Sequence, residues 1–150
     1  MTTIFQALLV SHQTQRDLCA QLLASKQGTS ECLALFAELK SELQAHATAE
    51  ERCFYVPLFE HDEAVDLSRH AIAEHHEMDE MVESLEEAEP NSAEWMEWAR
   101  KLCHKVEHHL GEEEGKFFAQ AGEVLGEEQK VELAAAYEAE FASMRSKQEA

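Results

Sequence analysis

An all-α fold, an up-down-up-down four-helix bundle with a short C-terminal helix, is predicted by three observations. Glycine (5) and proline (2) are scarce in the 150 residues, and a sandwich or barrel of many short strands needs more turn punctuation than that. Apolar residues form 45% of the chain and recur at intervals of three and four, the spacing of one helix face. The breaks between the long periodic stretches are short, which makes consecutive helices antiparallel neighbours.

The first helix is expected from about Thr3 to Lys26, with Phe5, Leu8, His12, Gln15, Cys19 and Leu22 inward, and Gln27-Gly28-Thr29-Ser30 breaks it. The second spans about Ser30 to Phe59, with Phe36, Leu39, Leu43, His46, Glu50 and Phe54 on one face, and Pro57 weakens its last turns. His61-Asp62-Glu63 forms a turn. The third helix follows from about Glu63 to Glu87, with Ser68, Ala71, His75, Met78, Val82 and Leu85 inward. Glu89-Pro90-Asn91-Ser92 ends it, and Asn91 with Glu94 resembles a capping box. The fourth spans about Ser92 to Ala121, with Ala99, Leu102, Val106, His109, Glu113 and Phe117 inward. Gly122 to Gly126 interrupts the pattern. A tail helix from about Glu127 to Arg145 carries the stripe Leu133, Tyr137, Phe141 and Met144. The chain thus divides into a bundle over 1–125 and an appended helix and tail over 126–150, which either caps the bundle or mediates a homodimer.

Lys plus Arg total 12 and Asp plus Glu total 31, a net charge of −19. Such a chain repels phosphate backbones and anionic membrane surfaces, so neither nucleic acid nor membrane is an expected partner. No stretch reaches the roughly 18 apolar residues of a membrane span, and the N-terminus lacks a basic segment followed by a cleavage site. Cys19, Cys32, Cys53 and Cys103 form no CxxC pair. They read as free thiols in a reducing cytoplasm.

Nine histidines stand against about three at ordinary usage, and they are organised by an internal repeat. A shift of 63 places His12 on His75, His46 on His109, Glu50 on Glu113 and Glu51 on Glu114, and also superposes Leu22 on Leu85, Leu39 on Leu102 and Phe54 on Phe117. Shifts of 62 or 64 break the histidine matches. His46 and Glu50, like His109 and Glu113, are four apart and share one helix face. His12 lies 16 residues before Gly28 and His46 lies 18 after it, so both stand roughly 25 Å from that end of the bundle. The other connections bring Glu50, His75 and His109 to similar heights. His12, His46, Glu50, His75, His109 and Glu113 therefore converge in one core layer.

Two inward carboxylates among four imidazoles, with no Lys or Arg on the inward stripes, need a positive charge that a metal supplies. The duplication suggests two ions, each taking two histidines, with both carboxylates bridging and an added oxo or hydroxo bridge. Mixed N/O ligation without thiolate suits iron, and less well manganese or zinc. Six donors exceed the four of a closed tetrahedral zinc site. Ferritin-like di-iron bundles need Glu-x-x-His pairs, and no histidine here has Glu three residues before it.

This pattern resembles the hemerythrin-like HHE cation-binding domain family over about residues 1–125. The resemblance rests on His12, then His46 with Glu50, then His75, then His109 with Glu113, flanked by HATAEERCFYVPLF and HLGEEEGKFF. It implies a non-haem di-iron centre that binds or senses dioxygen or a related small oxidant. Oxygen-carrying hemerythrins have a further histidine four residues after the third-helix one, where this chain has Asp79. The corresponding place after His12 is Arg16. Simple reversible oxygen carriage is thereby put in question. A di-iron enzyme consuming peroxide or nitric oxide and an iron-handling module without turnover are the alternatives, and Asp79 itself reads as a solvated residue. His76 and His108 point away from the layer and read as surface residues, with support of the neighbouring ligands as the alternative. His61, His70 and His104 have no counterpart across the repeat. Tyr55, five residues after Glu50, has two expected places, near the layer or, in preference, in core or interface packing, and the runs Glu83–Glu89 and Glu112–Glu114 read mostly as solvated faces.

Overall fold

In the computed structural model, which describes residues 1–149, Thr3 opens the first helix, α1 (Ile4–Ala24), through a reciprocal cap. Its hydroxyl accepts from Gln6 N and the Gln6 side chain accepts from Thr3 N. Thr29 likewise caps α2 (Ser30–Glu50) by accepting from Cys32 N. The turn between them needs Gly28, whose φ of +81° is a left-handed conformation. The α2 rod does not stop at Glu50. A π-helical turn, Glu51–Tyr55, joins it to the short α3 (Val56–Leu58). After His61 comes α4 (Asp62–Glu87). The cap of α5 (Ala93–Glu112) is Ser92, accepting from Trp95 N, and not Asn91 as expected. Asn91 instead lies against Gly28.

A second π turn, Glu113–Phe117, carries α5 into α6 (Phe118–Val124). Gly122 therefore lies inside a helix, and the chain breaks only at Leu125 and Gly126. The final helix, α7, spans Glu127–Glu149. It is 23 residues long against 21 for α1, so the expected short tail helix is a full-length one. No strand occurs among the described residues. None of their helices is long and apolar enough to cross a membrane. All four cysteines are unpaired.

α1 packs on α2, α4 on α5, and α1 also on α5. Their cross-contacts run in opposite order along the chain. Arg16 meets Glu107 while His12 meets Glu114, and Lys40 meets Glu86 while His75 meets Glu51. Hydrophobic burial is divided into two clusters. One, near the Gly28 and Pro90 turns, centres on Leu22, Leu39, Leu85, Trp95, Leu102 and Val106. The other, near His61, centres on Leu8, Phe54, Tyr55, Leu58, Phe117 and Ala121. Each fully buried large apolar side chain contributes about 1.5–3 kcal/mol. Together the clusters offset a layer that would not form alone, because His12, His46, Glu50, His75, His109 and Glu113 are all buried between them.

α7 lies along α1 and α2. Arg52 pairs with Glu140, Arg145 with Glu38 at 2.6 Å, and Gln148 Nε2 donates to Ser41 O at 2.9 Å. Exposed pairs of this kind are worth under about 1 kcal/mol each. The firmer hold is apolar, since Ala134 and Tyr137 are buried in the second cluster.

Candidate metal centre

The six histidines and glutamates that the repeat singles out meet in one layer, each at most 4% exposed. His12 Nε2 lies 3.2 Å from Glu113 Oε1, and His46 Nε2 lies 3.1 Å from Glu50 Oε1. His75 Nε2 lies 3.2 Å from Glu50 Oε1, and His109 Nε2 lies 3.7 Å from Glu113 Oε2. Two overlapping donor groups result, one of His12, His46, Glu50 and Glu113 and one of Glu50, His75 and His109, each within a span an ion can bridge. Glu50 belongs to both. The histidines pair within each helical hairpin, His12 with His46 and His75 with His109.

The opposite nitrogen of every imidazole is taken. His12 Nδ1 is 2.7 Å from Glu114, His46 Nδ1 is 2.9 Å from the Tyr137 hydroxyl, His75 Nδ1 is 3.0 Å from Glu51, and His109 Nδ1 is 2.9 Å from Glu74. Glu114 is in turn gripped by both terminal nitrogens of Arg16, at 2.8 and 2.9 Å, and Glu74 by Lys105 at 3.1 Å. These contacts orient the rings and leave all four Nε2 atoms, with Glu50 Oε2 and Glu113 Oε1, buried and without a hydrogen-bond partner. A buried polar atom left unpaired costs about 1–3 kcal/mol, and six in one layer are not tolerated for packing alone. Deprotonated Nε2 atoms with Nδ1–H held by an outer acceptor are how metal-ligating histidines are arranged. The residues present therefore fit metal cations.

Tyr55 stands between the two carboxylates. Its hydroxyl donates to Glu50 Oε1 at 2.8 Å and also contacts Glu113 Oε2. In a regular α-helix a residue five positions on points about 140° away, which is why Tyr55 reads as packing. The π turn that begins at Glu51, closed by Val56 N donating to Glu51 O, brings Tyr55 back over Glu50. The Tyr55 ring stacks on Phe117 of the other π turn. Such turns often occur where a helix serves a site.

Electrostatics in the metal-free layer follow from crowding. Burial and the neighbouring Glu50 charge hold Glu113 well above the usual carboxylate range. Burial also acts to raise Glu50, but the imidazoles around it prevail, His46 foremost, and keep it ionised. Burial raises Tyr55 further, so it stays a neutral phenol. For His75, burial is outweighed by the adjacent carboxylates of Glu50 and Glu51, which raise it to about 9. Burial pulls His12 down to about 4 and lowers His109. One proton on Glu113 and one on His75 thus compensate charge that a cation would otherwise balance.

A cavity of about 330 Å³ links the exposed His70 and Glu112 to the buried His109 and Glu113, between α4 and α5. His70 Nε2 is 3.1 Å from Glu112 at its mouth. A far smaller space of about 10 Å³ touches His46, His75 and His109, and Asp79 borders it. Asp79 is exposed, as expected of a solvated residue. His76 and His108 are on the surface, paired with Glu80 and Glu112. Other expectations fail. Glu114 is not on a solvated face but holds His12, and Tyr55 takes the less favoured of its two expected places, beside the layer. Tyr137, Glu74, Glu51 and Glu114 were missed as supports, though Glu51 and Glu114 already superpose in the repeat.

Residues 3–121 match the family model of the hemerythrin HHE cation binding domain. A crystal structure of a hemerythrin HHE cation binding domain-containing protein from Mycobacterium kansasii superposes with a TM-score of 0.88 at 23% identity, covering 98% of this chain and 90% of that one. That likeness speaks for the fold, α7 included. No curated protein matches the chain.

Proposed function

Since the chain belongs to the hemerythrin HHE cation-binding domain family, we propose that it is a non-haem di-iron protein for dioxygen or a related small oxidant. His12 and His46, with Glu50 and Glu113, would hold one ion, and His75 and His109, with Glu50, the other. The observation that carries this reading is the layer of six orphaned donor atoms, each turned inward by a hydrogen bond or a helix register on its far side. Iron is favoured because imidazole and carboxylate without thiolate suit it, and the four cysteines contribute no sulfur to the layer. When bound, a ferrous pair supplies electrons to a small oxidant.

The chain's own residues do the rest. Leu8, Phe54 and Phe117 on one side and Val106 on the other keep bulk water from the layer. The cavity between α4 and α5 is lined by His109 and Glu113 and is roomy enough for a diatomic molecule or peroxide. Tyr55 holds a proton between Glu50 and Glu113. That proton favours a second reading, turnover of peroxide, because consuming it requires proton delivery beside the donors. Asp79 supplies no fifth imidazole, which also argues against long-lived storage of oxygen. Anaerobic loading with ferrous iron, followed by addition of oxygen or peroxide under an optical spectrometer, tests both. Near-ultraviolet charge-transfer bands should grow after either oxidant. A loaded protein that responds to neither would overturn the oxidant reading.

A further inference from the structure

The internal repeat is broken at one functional position, and α7 mends it. Three of the four imidazoles are backed by carboxylates: His12 by Glu114, His75 by Glu51 and His109 by Glu74. The first two pairs are images of each other under the shift of 63. The image of Glu74 is Ser11, and the image of His109 is His46. Serine is too short to reach across to His46. The polar contact of the second half also has an altered counterpart. Glu74 bonds Lys105 at 3.1 Å, and their images Ser11 and Glu42 bond each other at 2.7 Å. In the first hairpin Ser11 therefore donates away from the imidazole, to Glu42.

The Tyr137 hydroxyl fills that gap, 2.9 Å from His46 Nδ1. Tyr137 is 3% exposed and its ring meets the His46 ring edge-on at 5.8 Å. It lies on α7, beyond residues 3–121 that the family matches. We propose that Tyr137 is a positioning residue of the metal centre, supplied by the C-terminal helix in place of the carboxylate that Ser11 does not provide. The inference rests on the two-ion reading above. Its consequence is that the two metal positions are unequal. The His75/His109 position has two carboxylate-backed imidazoles, whose donor nitrogens are the more basic. The His12/His46 position has one backed by carboxylate and one by a neutral phenol, so it fills second.

The test is a cobalt(II) titration of the metal-free full-length protein, followed by visible absorption and calorimetry. The wild type should take up two ions in two resolved steps. Tyr137→Phe keeps the ring in its apolar surroundings and removes only the hydroxyl. It should weaken the second step by about 10- to 100-fold, the range for losing an outer hydrogen-bond partner. The first step should stay within about twofold, and the metal-free melting temperature should fall only by what one lost buried hydrogen bond costs, since His46 Nδ1 is left without its partner. Glu74→Gln should instead weaken the first step. Unchanged steps in Tyr137→Phe, with two ions still bound by the wild type, would overturn this inference and leave the two-ion reading standing. Equal weakening of both steps would show a general packing role and overturn it as well. A wild type that takes up no cobalt would overturn both readings.

Discussion

Each imidazole of the central layer has its ring fixed at Nδ1 and its Nε2 left bare, so alanine at any of them removes a donor that no neighbour replaces. His46→Ala and His109→Ala should each lose at least half the bound metal, whereas His76→Ala and His108→Ala, on the surface, should keep it. Metal content per chain after dialysis checks this. Tyr55→Phe withdraws the hydroxyl that satisfies both carboxylates of the metal-free layer. It should destabilise the metal-free protein by about 1–3 kcal/mol and the metal-loaded form by less, read from melting curves in chelator and in metal. Proton linkage gives a third expectation. Metal uptake must displace the protons on Glu113, held well above its usual range, and on His75, raised to about 9. Apparent affinity should therefore climb between pH 6 and 9, by up to about tenfold per pH unit for each proton released. His75 has a folded value above its ordinary 6.5. Its contribution to metal-free stability is complete below pH 6.5 and is lost as pH rises through 9. A metal-free melting temperature that rises over this window, or an affinity indifferent to pH, would contradict the assignment.

At the scale of elements, much was legible and the exceptions have physical causes. The four long helices, their inward stripes and the repeat of 63 follow from a period of 3.6, which survives in every regular segment. The two π turns do not follow from it. The first inserts one residue into the helical register just past Glu50 and the second begins at Glu113 itself, and neither leaves a mark on the spacing of His46 and Glu50 or His109 and Glu113. The preference for Tyr55 as packing came from a register without the first insertion. Glu74 was hidden because it adjoins His75, and adjacent residues on a helix point about 100° apart. It serves His109 on α5 rather than its own helix's donor. The role of α7 could not be read either, since the contact of Tyr137 with His46 spans 91 positions and has no image in the repeat. Turns are testable separately from the centre. A Cβ at Gly28 would meet Asn91 Oδ1 at 1.8 Å in a backbone with φ +81°. Gly28→Ala should cost about 1–3 kcal/mol while leaving metal stoichiometry unaltered, as melting curves and metal analysis on one sample would show.

For the whole molecule, the bundle encloses a layer whose charge is balanced in the metal-free state only by retained protons. Two apolar clusters hold the layer together from either end, and α7 closes the side formed by α1 and α2. With a net charge of −19, the molecule attracts cations in general, so selectivity must come from the buried donors and not from the surface field. Loading should raise the melting temperature and chelation should reverse the gain, because binding to the folded state alone stabilises it by mass action. The most direct measurement is metal content per chain in protein from iron-supplemented culture, compared with the His46→Ala and His109→Ala variants. The account predicts close to two metal ions, predominantly iron, in the wild type and a marked loss in each variant. One tetrahedral zinc per chain, or a content unmoved by either substitution, would contradict it.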